Sequence, residues 1–214
     1  GLQEYILNKP KKVWGHVRKL IKVGIPSGFQ YFFEIAAFSM ASIMAGWIGV
    51  NHSAAHQIAI SLASISYMCV TGFAAAGSIR VAGGFGNNNF SEMRRAGNSA
   101  LYLGAAFMGL SALALFFFRH PLAQLYVDNP SVIGMVTGLL IIAALFQISD
   151  GIQAISLGIL RGITDVKVPT LVTLTAYWLL AMPICYFLGF TLKMGVTGIW
   201  IGLLIGLTGS ATFN

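Results

Sequence analysis

The fold class this sequence predicts is all-α: a polytopic membrane protein built as a bundle of six transmembrane helices. Three observations predict it. Of the 214 residues, 57% are hydrophobic and only 9% are charged, whereas a soluble domain carries roughly a quarter charged residues. The apolar residues gather into six runs, each near the ~20 residues that cross about 30 Å of hydrocarbon. Every Lys and Arg lies outside those runs or at their ends. Inside hydrocarbon a backbone must satisfy its own N–H and C=O groups, and a helix does so within one segment.

The elements follow in order. Residues 1–22 are a basic linker. In LNKPKKVWGHVRKLIKV, Trp14, Val17, Leu20 and Ile21 share one helical face beside Lys11, Lys12, Arg18, Lys19 and Lys22, the pattern of an interfacial cytoplasmic segment. Residues 23–214 supply the lobe of six spans: 23–50, 54–80, 99–118, 132–160, 169–192 and 195 onward. Turn signals separate them at Asn51-His52-Ser53, at GGFGNNN from Gly83, at Asp128-Asn129-Pro130 and over residues 162–169. Pro183 falls inside the fifth span and is expected to bend it. Gly198, Gly202, Gly206 and Ser210 recur every four residues in the sixth, a close-packing face. The chain begins at Gly1 without an initiator methionine or cleavable signal, and ends inside an apolar run. It therefore reads as part of a longer protein, truncated in its last helix.

Charge fixes the expected topology. The net charge is +7, which in a soluble chain would suggest nucleic acid, but the basic residues sort by side instead. The linker holds Lys9, Lys11, Lys12, Arg18, Lys19 and Lys22; the second-to-third connection Arg80, Arg94 and Arg95; the fourth-to-fifth Arg161 and Lys167. Only Arg119 and Lys193 remain for the opposite side. By the positive-inside rule the amino-terminal end is cytoplasmic, in a cell inner (plasma) membrane. Cys69 and Cys185 each sit in an apolar run and read as packing residues.

Two acids break the apolar pattern. Glu34 in YFFEIAAFSM lies about thirteen residues, roughly 20 Å, inside its helix; Asp150 lies about ten residues, roughly 15 Å, from the cytoplasmic end of an oppositely directed one. A charged acid at mid-membrane costs about 2.5–3.5 kcal/mol unless it is satisfied. Both sit on polar stripes: Ser27, Gln30 and Tyr31 with Glu34, Gln147 and Gln153 with Asp150. A third stripe, Gln57, Ser61, Ser64, Tyr67 and Thr71, marks the second span. Turned toward one hydrated cavity, the stripes would avoid lipid.

Other features read more plainly. His52 and His56 lack a metal-ligand constellation and are taken as external interface residues. GGFGNNN has neither the lysine nor the strand of a phosphate loop and reads as a cytoplasmic turn. Neither H-E-x-x-H nor G-x-S-x-G occurs, so no enzyme is indicated. A membrane scaffold would leave the polar stripes without a purpose. A flippase for lipid-linked oligosaccharide remains an alternative, although an anionic lipid would call for Lys or Arg at mid-depth.

The segments FFEIAAF, AAHQIAISLASISYM, RVAGGFGNNN, LYVDNP and SDGIQAISLGILRGITDVKVP resemble the carboxy-terminal half of the multidrug and toxic compound extrusion (MATE) transporters, NorM branch, over nearly the whole chain. The resemblance implies a twelve-helix protein of two six-helix lobes facing a central cavity. It further implies export of organic cations or drugs in antiport with sodium ions or protons, by alternating access and without a cofactor. The partners it implies are small organic cations, membrane lipids and an amino-terminal lobe of the same protein. By resemblance Glu34 and Asp150 are the acids of the coupling-cation site, where sodium would bind, with Tyr67 beside them. Gln57, Tyr31, Phe146 and Asp128 are substrate-facing positions. Phe146 departs from the pattern, since NorM relatives can carry tyrosine there.

Overall fold

The computed structural model describes residues 13–213; the expectations for Lys9, Lys11 and Lys12 lie outside the described residues. The helices are α1 (Val13–Ile48), α2 (Val50–Gly86), α3 (Phe90–Phe117), a short α4 (Arg119–Gln124), α5 (Pro130–Gly162), α6 (Lys167–Thr191) and α7 (Val196–Phe213). No strand occurs among the described residues. All but α4 are long and apolar enough to cross a membrane. Leu110, Phe117 and Leu179 point outward, as residues that face lipid do.

Helix ends differ from the sequence expectation where local chemistry is cheaper than a loop. Residues 13–22 are the first turns of α1, so the described part of the linker continues the first span without a break. Asn51, His52 and Ser53 are helical. The reversal between α1 and α2 is made by Gly49 alone, at φ 156° and ψ 165°, a region open essentially to glycine. The glycines of GGFGNNN extend α2 to Gly86, and only Asn87–Asn89 turn, with Asn88 at φ 54°. The Asn89 side chain then caps α3 by accepting from the Glu92 N–H at 3.1 Å. At α5 the cap is Asn129, which accepts from the Ser131 N–H at 3.0 Å, and Pro130 occupies the first turn.

The hub is α5, which packs along α2 and α3 on one side and α7 on the other. Its approach to α2 is close because Gly158 lies against the Ala74 carbonyl and Gly162 against that of Ser78. On the far side the small-residue row of α7 receives α6: Gly198 meets the Leu188 backbone, Gly202 meets Cys185 and Gly206 meets Ala181. That is the close packing the four-residue repeat predicted. The α6 backbone widens to π-helical turns over Thr175–Ala181 and Phe187–Thr191, with Pro183 in the α-helical stretch Met182–Tyr186 between them. Cys185 is buried and its thiol donates to the Ile199 carbonyl at 3.2 Å, whereas Cys69 is exposed on α2 and packs against no core.

Candidate functional site

The acid-bearing helices α1 and α5 scarcely touch through their backbones; α1 leans on α2 and on the start of α6. The space between them is the site. Glu34 and Asp150, 116 positions apart in the sequence, line one cavity of about 300 Å³ with Tyr31, Phe38, Ser64, Tyr67 and Phe146. Glu34 is 7% exposed and Asp150 6%. Among the described residues neither carboxylate forms a hydrogen bond or an ion pair. Of the serine and threonine hydroxyls beside the cavity, Ser64 is committed to the Ile60 carbonyl at 2.6 Å and Thr71 to that of Met68 at 2.7 Å. The site thus presents acceptor oxygens and few donors, a surface suited to a cation.

Five of the seven residues singled out by sequence meet here: Tyr31, Glu34, Tyr67, Phe146 and Asp150. Phe146 closes the wall by packing edge-on against Phe38 at 5.9 Å and against Trp200 at 6.0 Å. Gln57 and Asp128 are not in this cavity. Both are exposed, Gln57 nearly three turns from Tyr67 along α2 and Asp128 just ahead of the Asn129 cap. The stripes also divide. Gln147 is fully buried and donates to the Ser66 hydroxyl and the Ala63 carbonyl, so it joins α5 to α2 and does not face the cavity.

Two residues do more than their sequence context suggested. Arg161 ends α5 as expected of a cytoplasmic-side residue, but its guanidinium turns back into the bundle. It donates to the Tyr31 hydroxyl at 2.6 Å and stacks over that ring at 4.6 Å. It lines a second chamber, also about 300 Å³, that shares Tyr31, Glu34 and Tyr67 with the first. The signal was present in the helical period, since Arg161 lies two to three turns beyond Asp150 and Gln153, and long side chains lean toward their helix's N-terminus. His56 is a correction. It is 1% exposed and far from an interface residue. Its Nδ1 accepts from the Trp200 indole N–H at 3.1 Å, and its Nε2 lies 2.9 Å from the Ser42 hydroxyl, which donates to the Phe38 carbonyl at 3.1 Å. The indole contact makes Nδ1 the acceptor, so the ring proton belongs on Nε2. A neutral ring satisfies every partner in this chain, which ties α7, α2 and α1 together.

Six apolar helices, three of which wall a buried pair of acids, define a polytopic membrane protein with a polar site between its spans. Comparison with known proteins narrows this. The MatE family model matches residues 26–187, and the chain belongs to that family. It is 37% identical over 202 residues to the multidrug resistance protein MdtK of Photorhabdus laumondii, covering 92% of this chain and 44% of that protein. Its identity to MdtK of Edwardsiella ictaluri is 35%, with the same coverage. The chain therefore spans about half the length of the curated relatives it matches. Among solved structures it is similar to the eukaryotic MATE transporter AtDTX14, with a TM-score of 0.87 and 25% identity over 95% of this chain and 46% of that one. An outward-facing multidrug resistance MATE family transporter of the MOP superfamily shares the fold at a TM-score of 0.85 and 18% identity, covering 96% of this chain and 46% of that one.

Proposed function

We propose that the chain is the carboxy-terminal lobe of a secondary active transporter that exports organic cations or drugs across the inner membrane in exchange for sodium ions or protons. In this reading residues 1–22 lie on the cytoplasmic face, residues 23–214 form one lobe, and an amino-terminal lobe completes the central cavity. Glu34 and Asp150 take up the coupling cation. Tyr67 and Tyr31 border it with phenol oxygens, and Phe146 offers a ring face to an organic cation. Gln57 and Asp128, outside the acid cavity, are assigned to earlier or later contacts along the substrate path.

The observation that carries the reading is the pair of buried carboxylates in one cavity, from two helices that barely pack, with no hydrogen bond or ion pair to either acid among the described residues. Two such acids in a membrane interior are costly, and a cation that comes and goes gives them a purpose. Alternating access follows if the organic cation and the coupling ion compete for the same charge, since each then favours the conformation that binds it better. Drug efflux from vesicles holding the full-length protein, with sodium and pH gradients imposed separately, tests this. Coupled efflux should follow one gradient and disappear in Glu34→Gln with insertion intact; a correctly inserted Glu34→Gln protein that exports at the wild-type rate would refute it.

A further inference from the structure

We propose that Arg161 is the fixed third charge of the Glu34–Asp150 site, and that it restricts that site to a single monovalent cation at a time. The inference rests on the reading of the two acids as the coupling site. A basic residue at the cytoplasmic end of a span ordinarily extends outward, keeping its charge in water. Arg161 does the reverse: its guanidinium is held inward by the Tyr31 hydroxyl at 2.6 Å and by the face of the same ring at 4.6 Å. Tyr31 stands one turn before Glu34 on α1, and Arg161 and Glu34 line the same chamber. Two further donors, the Arg161 Nε and the side-chain amide of the buried Gln153, are enclosed with no acceptor among the described residues.

The charges around the two chambers can be counted. The acids are Glu34 and Asp150, and among the described residues lining either chamber Arg161 is the only basic one. The other titratable side chains facing this space are the phenols Tyr31 and Tyr67, with Tyr177 behind Gln153, whose oxygen accepts from the Tyr177 hydroxyl at 3.3 Å. Two carboxylates and one guanidinium leave one negative charge. One sodium ion, one proton or one organic monocation cancels it. A divalent ion, or a second monovalent one, would leave excess positive charge beside two nearly buried carboxylates, where unlike and like charges act more strongly than in water. Without the guanidinium the same two acids would suit a divalent ion.

The test uses the full-length protein, titrated calorimetrically with sodium and with barium; the sites lost in Glu34→Gln define binding that belongs to this pair. Wild type should lose one monovalent site in Glu34→Gln, with barium binding weakly. Arg161→Gln should raise barium affinity at the Glu34-dependent site by at least roughly tenfold, a floor, since one unit charge about 4 Å away at an effective dielectric near 20 acts on the order of a thousandfold. Arg161→Lys should restore the wild-type preference, which a purely structural role for the guanidinium fork would not. Glu34-dependent binding whose valence preference is the same in Arg161→Gln as in wild type overturns this inference and leaves the coupling-site reading standing. Binding indifferent to Glu34→Gln removes both. If Arg161→Gln does not fold, wild type still decides: barium held at the Glu34-dependent site as tightly as sodium overturns the charge count.

Discussion

Two glycines of α5 should respond in opposite directions to the same substitution. At Gly158 an added Cβ would stand 2.7 Å from the Ala74 carbonyl oxygen and 3.1 Å from its carbon, against an ordinary contact of 3.4 Å or more. Neither atom belongs to a flexible side chain, so α2 and α5 must separate by about half an ångström or more along the seam that also holds Gly162. Overpacking of this kind costs roughly 1–3 kcal/mol, against a helix-propensity gain of at most about 1 kcal/mol for replacing glycine by alanine. Gly158→Ala should therefore be destabilising by up to about 2 kcal/mol. Gly138 is exposed on the same helix, and a Cβ there meets nothing within 4 Å. Gly138→Ala keeps the propensity gain and should be neutral or stabilising. Thermal unfolding of the purified full-length protein in one detergent, comparing both variants with wild type, reads the difference. Equal shifts, or a more stable Gly158→Ala, would refute the claim that the α2–α5 seam is closed by backbone contact.

The acid pair should behave as one site: Glu34→Gln and Asp150→Asn should each weaken coupling-cation binding severely, and the double variant should be little worse than the poorer single one. Strictly additive free-energy losses in a calorimetric cycle would assign them to separate sites. His56→Phe should leave the buried Trp200 N–H without its acceptor, at a cost of roughly 1–3 kcal/mol, read as a lower unfolding temperature. His56→Asn, which can again offer an oxygen near the Nδ1 position, should recover part of that loss; equal losses in the two variants would deny the hydrogen bond its role.

The six spans were legible because hydrocarbon thickness imposes a length that composition alone reveals, and the acids were legible because nothing else in the apolar runs 23–50 and 132–160 carries charge. Other features depended on neighbours that one sequence position cannot announce. Gly49 looks like any glycine in an apolar run, yet its backbone conformation ends one helix and begins the next, which shifted the expected turn from residues 51–53. His56 and Gln147 fall at positions that suit an interface or a cavity equally well. Only Trp200 and Ser66, arriving from distant segments or from another face, show that both residues bind helices together. Arg161 lies in the last turn of α5, where a connection was expected, and the inward course of its side chain was not foreseen, because the positive-inside pattern sorts residues by the loop they border and is silent on a long chain folding back. The π turns of α6 had no sequence signal beyond Pro183 and depend on how the small-residue row of α7 admits them.

The single-residue link at Gly49 has a mechanical consequence. Consecutive Cα atoms are about 3.8 Å apart, so Ile48 and Val50, on either side of it, can never stand more than about twice that distance from each other. The two helices form a pair of blades riveted at one tip. Any spreading between them is nil at the rivet and widens with distance from it, reaching Tyr67 on one blade and Glu34 and Tyr31 on the other before the far tips. The span between the blades is thus widest on the side where Arg161 reaches across from α5.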